Sequence, residues 1–100
     1  SSFIYVTKIY LKKENKMNHN EIINAVKDVY YICYSMVKDE ETAKDLTSDT
    51  FVTAFSKIMQ LNREETFRAW LSSIANHTCL DYLKRKKIIE FVQGMINTMN

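Results

Sequence analysis

Proline is absent from these 100 residues, and glycine occurs once, at Gly94. Sheet proteins need turn residues at every hairpin, so this scarcity argues for a few long helices joined by short polar loops. Cysteine is nearly absent as well. Cys33 and Cys79 stand far apart, each inside an apolar helical pattern. Two lone thiols make neither a disulfide framework nor a zinc pattern, and they read as reduced, buried, small hydrophobes. No apolar run approaches the length of a membrane span and no secretory signal is recognisable, so a cytoplasmic protein with no membrane partner is expected. Catalytic constellations are missing too. His19 and His77 lack metal-ligand spacing, no glycine-rich phosphate loop exists, and no nucleophile–base set can be named. The chain therefore reads as non-enzymatic, with no metal and no cofactor.

What is present suits one all-α domain: 46% hydrophobic and 26% charged residues, in a chain long enough for a single core with little margin. The net charge of +2 is too small to imply a nucleic-acid partner, but its distribution is polarised. Asp39, Glu40, Glu41, Asp45 and Asp49 stand against Lys44 alone, whereas residues 84–87 are four consecutive cations, Lys84, Arg85, Lys86 and Lys87. Such a molecule can meet two partners of opposite charge; two solvated helix faces would give the same pattern.

Hydrophobic periodicity predicts three helices in a compact bundle. The first spans about residues 20–37, with Asn20 as N-cap and Ile22, Val26, Val29, Cys33 and Met36 as its apolar stripe, widened by Tyr30 and Val37. The second spans roughly residues 40–60. Ala43, Thr47, Phe51, Ala54, Phe55 and Ile58 share its inner face; Asp45, Ser48, Asp49, Val52 and Ser56 fall opposite, with Met59 near the edge. Residues 61–66 form a polar connection ending in Thr66 as N-cap. The third helix carries Phe67, Trp70, Leu71, Ile74, Thr78 and Tyr82 inward, and the same phase continues through Ile89, Val92 and Ile96 past the basic cluster. Residues 1–19 form an uncertain extension: Phe3, Tyr5, Thr7, Ile9 and Leu11 alternate as a strand would, while Phe3, Val6 and Tyr10 also fit a helix. The domain proper is expected over residues 20–87, with 88–100 a helical tail or the start of a linker.

Three segments carry a resemblance. They are Asp45-Leu46-Thr47-Ser48-Asp49-Thr50-Phe51, then Phe67-Arg68-Ala69-Trp70-Leu71, then Asp81-Tyr82-Leu83-Lys84-Arg85. In this order and at these intervals they resemble the promoter-melting domain, region 2, of extracytoplasmic-function sigma factors of bacterial RNA polymerase, over about residues 21–87. The resemblance implies that the second helix docks on the coiled coil of the polymerase clamp through Asp45, Ser48, Asp49, Val52 and Ser56. It implies that the third helix and the loop before it meet promoter DNA, mainly the single-stranded −10 non-template strand. Asn62, Arg63, Arg68, Asn76 and His77 would supply directional hydrogen bonds, and Lys84, Arg85, Lys86 and Lys87 phosphate contacts. An anti-sigma factor would be a further partner. Phe51 and Trp70 lie on apolar stripes and read as core before they read as partner contacts.

Two departures from that pattern stand out. The family reads Ile-Ala-x-Asn where this chain has Ile74-Ala75-Asn76-His77, which leaves strand capture to histidine or to the adjacent Asn76. Nothing after Lys87 resembles the helix-turn-helix that reads a −35 element, so the chain is either part of a longer protein or grips one promoter element only. The alternative function is a sigma-like helical protein-interaction module without promoter-melting activity.

Overall fold

The computed structural model describes residues 19–58, 61 and 67–99. Its helices are α1 (His19–Val37), α2 (Glu40–Ser56) and α3 (Phe67–Asn97), and each packs against the other two. No strand occurs among the described residues. The expected all-α bundle of three helices is what forms.

The core is built on residues four apart: Ala25, Val29 and Cys33 on α1; Ala43, Leu46, Thr47, Thr50 and Ala54 on α2; Leu71, Ala75 and Cys79 on α3. Four of these are alanines, whose small side chains bring helix backbones close together. Larger residues, among them Tyr30, Met36, Phe51, Trp70 and Tyr82, pack around that centre half-buried. The buried threonines solve their polarity locally: Thr47 Oγ1 donates to the Ala43 carbonyl and Thr50 Oγ1 to the Leu46 carbonyl, both at 2.7 Å.

Several expectations need correction. Ile22 and Val26 are exposed, and the inward residue of that part of α1 is Ala25. They flank Ala25 along the helix, and α1 does not press them on the core. Helix α1 already includes His19, so Asn20 lies inside it and does not cap it. Helix α2 ends at Ser56, short of Gln60: the Lys57 N–H bonds to the Thr53 and Ala54 carbonyls with non-helical dihedrals. Ser56 Oγ also donates to the Thr53 carbonyl, a local bond that competes with helix continuation. Leu46 and Thr50 join the inner face of α2, while Phe51 and Phe55 sit at its half-buried edge. Met59, Gln60, Thr66 and residues 1–18 lie outside the described residues.

The α1–α2 turn is two residues long. Lys38 adopts a left-handed conformation (φ 58°), and its N–H closes on the Tyr34 carbonyl at 2.9 Å. Asp39 then caps α2, its carboxylate accepting from the Thr42 N–H at 2.9 Å and the Thr42 hydroxyl at 2.6 Å. These bonds, chiefly that from the Thr42 hydroxyl, hold the Asp39 carboxyl below its usual range. The cation of Lys86 adds a smaller lowering effect.

Candidate functional site

Two outward faces carry charged side chains that have no ion-pair partner among the described residues. On α2, every residue of the predicted contact set (Asp45, Ser48, Asp49, Val52 and Ser56) is exposed. Asp45 and Asp49 are one turn apart, and neither has an ion-pair partner among the described residues. The nearby cation, Lys44, pairs with Glu40 at 3.0 Å, a contact that raises the Lys44 pKa. Val52 is 68% exposed on the same face. Two free carboxylates beside a bare valine can receive a partner surface that is basic and partly apolar.

Helix α3 builds the second face. At about 100° per residue, Asn76, His77, Leu80, Leu83, Lys84 and Lys87 fall within roughly 60° of one outward line, with the buried Leu71 directly opposite and Ala75 and Cys79 on its inward flank. Leu80 is 57% exposed, and it lines a shallow hollow with Leu83, Lys84, Lys86, Lys87 and Glu90. The helix thereby sorts the four consecutive cations. Lys84 and Lys87 lie on the outward line and have no ion-pair partner among the described residues. Arg85 turns away from it, paired with Asp81 at 3.0 Å, while Lys86 stands at the edge of the hollow, paired with Glu90 at 4.0 Å.

The two polar residues on this line point back at the helix. Asn76 Nδ2 donates to the Ser72 carbonyl at 3.0 Å, which leaves its Oδ1 and one N–H open to a ligand. His77 Nδ1 sits 2.9 Å from the Ser73 carbonyl. A carbonyl only accepts, so Nδ1 donates in this contact, which leaves Nε2 open to a ligand.

Arg68 is placed elsewhere. It lies on the α1 side of α3, about 120° from Leu80, and pairs with Asp28 of α1. Asn62 and Arg63 fall outside the described residues. Trp70 is half-buried, packed on Phe67, Ile58 and Leu61, and Phe51 packs against the main core. Leu80, Leu83 and Asp28 were missed by sequence reasoning. The two leucines are found by continuing the helical repeat outward from Asn76; nothing local marks Asp28 as the partner of Arg68, forty residues away. Among the described residues no group of three His, Cys, Asp or Glu is placed to hold a metal ion, and no helix is long and apolar enough to cross a membrane.

Comparison with known proteins gives one consistent family. The model of the sigma-70 region 2 family matches residues 22–88. The chain is similar to three proteins of Bacillus subtilis (strain 168). It is 28% identical over 78 residues to the ECF RNA polymerase sigma factor SigW, covering 77% of this chain and 42% of that protein. It is 30% identical over 82 residues to the RNA polymerase sigma factor YlaC, covering 77% and 47%. It is 32% identical over 73 residues to the ECF RNA polymerase sigma factor SigM, covering 72% and 44%. The chain thus spans less than half the length of these relatives. No solved structure matches it.

Proposed function

The chain belongs to the sigma-70 region 2 family, and from that premise we propose that it is a transcription-initiation domain that binds RNA polymerase with α2 and promoter DNA with α3. The carrying observation is the sorting of unpaired charge: free carboxylates on the outward face of α2, free ammonium groups on that of α3. Asp45 and Asp49 pair with basic residues of the clamp coiled coil, and Val52 packs between them, with Ser48 and Ser56 at the edge. Along α3, Lys84 and Lys87 anchor phosphates of the single-stranded −10 non-template strand. Asn76 Oδ1 and His77 Nε2 bond to base edges, with Leu80 and Leu83 as the apolar floor between them. Asn62 and Arg63, which precede α3 in the sequence, border the same strand in this reading.

The domain makes and breaks no covalent bond in this reading. Polymerase does the chemistry, and the domain contributes binding energy that holds the strands apart. It works in the cytoplasm, where an anti-sigma factor masking either face would switch it off.

The reading is tested by titrating the chain against a clamp coiled-coil fragment, with Asp45→Lys and Asp49→Lys as comparisons. Binding that either reversal weakens at least tenfold, with the helical signal unchanged, supports it. Equal binding by all three removes α2 as the docking face. A second reading, an interaction module without promoter melting, draws on the bonds from Asn76 and His77 back to Ser72 and Ser73, which hold both side chains along the helix. It predicts clamp binding with no affinity for the −10 strand.

A further inference from the structure

Helix α3 outruns the bundle. Its last member packed against the core is Tyr82, and every residue over 84–99 is exposed. This extension is not polar. Ile89, Val92, Ile96 and Met99 repeat at the three-then-four spacing of a two-helix seam, and Ile88, Phe91 and Met95 widen it. Together they occupy an arc of about 160°, with Phe91 69% and Met99 80% exposed. Glu90, Gln93 and Asn97 hold the opposite side. A contiguous exposed apolar face of this size marks an interaction surface. Nothing among the described residues covers it.

We propose that a second copy of the chain covers this seam, the two α3 extensions pairing antiparallel, Ile89 opposite Met99 and Val92 opposite Ile96. Area, charge and direction converge on that occupant. Closing the seam on its own copy buries on the order of 1,200 Å² in total, at the lower end of the range for specific interfaces. A reversible dimer of micromolar affinity follows. Parallel pairing would set two clusters of four cations side by side. Antiparallel pairing in this register keeps the two clusters roughly 25 Å apart, each beyond the last turn of its partner, which carries no basic residue. An anionic lipid surface suits the cluster but not the extension, since residues 88–99 contain Glu90 and no Lys or Arg.

The test needs only the purified chain and is independent of any polymerase contact. Sedimentation equilibrium from about 1 to about 500 µM should show a monomer–dimer equilibrium with micromolar Kd. Ile89→Glu with Ile96→Glu should make the chain monomeric throughout, while the near-ultraviolet signal of Trp70 stays unchanged because neither isoleucine touches the core. Direction is read from a spin label on Lys84→Cys, the buried Cys33 and Cys79 being shielded from the label. Antiparallel pairing places two such labels roughly 30 Å apart, parallel pairing within about 15 Å. A chain that stays monomeric at the highest concentration overturns the proposal, whether or not it then binds anionic vesicles. The short label distance overturns the arrangement.

Discussion

Arg68, in the first turn of α3, pairs with Asp28 in the middle of α1 and so ties the start of one helix to the flank of another. Both side chains remain about half exposed, and a pair of that kind contributes under about 1 kcal/mol. The consequence concerns function more than stability: the guanidinium is directed at α1 and away from the outward line of α3. Arg68→Ala should change affinity for a single-stranded −10 oligonucleotide by less than about twofold, a difference below 0.5 kcal/mol, as read by fluorescence anisotropy. A loss of tenfold or more would show that Arg68 leaves Asp28 to reach the strand.

The turn between α1 and α2 offers a gain in stability. Lys38 holds a left-handed backbone at φ 58°, which a side chain disfavours and glycine accepts freely. Lys38→Gly should raise stability by up to about 1 kcal/mol, since relief of strain outweighs the added freedom of the unfolded chain. Urea denaturation would show the midpoint moving up at constant slope. A lower midpoint would mean that the entropy of the unfolded glycine dominates.

Cys79 meets Cys33 across the α1–α3 contact, both fully buried. Burial, with a smaller contribution from the Cys33 thiol, pushes the Cys79 thiol from an ordinary value of 9.0 up to about 12. A group that holds its proton more tightly when folded contributes stability in full below its unfolded pKa and loses it as pH rises toward the folded value. The window therefore runs from about 9 to about 12. Lys44, whose pKa is also raised, loses its contribution in the same alkaline range, so the informative quantity is a difference. Cys79→Ala should cost about 1 kcal/mol at neutral pH and show a shallower loss of stability above pH 9 than the parent chain. Parallel curves would place the alkaline sensitivity elsewhere.

How much of this was legible in the sequence depends on residue size. The helices and the outward face of α2 follow from polar and apolar periodicity, and both were readable because Asp45, Ser48, Asp49, Val52 and Ser56 recur at helical spacing. The core was read less well. A stripe drawn through large apolar residues took Ile22 and Val26 of α1 inward where Ala25 holds the buried position, and it left Leu46 and Thr50 off the inner face of α2. Alanine and threonine carry little hydrophobic signal, yet they are what a close helix crossing admits, and Thr50 hides its hydroxyl on its own helix. The pairing of Arg68 with Asp28 depends on tertiary placement that no local pattern encodes. The basic cluster was visible as charge, but its division into free and paired cations required the neighbours Asp81 and Glu90.

That division makes the sharpest prediction about nucleic acid. Each phosphate neutralised on a single strand contributes about −0.7 to the slope of log affinity against log salt. If Lys84 and Lys87 are the anchoring cations, replacing both with alanine should make that slope shallower by roughly 1.4. Replacing Arg85 and Lys86, which already have Asp81 and Glu90 as partners, should change it by well under half as much. Both double variants keep the core intact, because all four side chains are exposed. They also lower the net charge equally, so a general electrostatic attraction would weaken both to the same extent. Anisotropy titrations of the two variants across a salt series decide the matter. Unequal slopes assign the strand to the face that carries Asn76 and His77, and equal slopes mean that the cluster acts only as a diffuse positive charge.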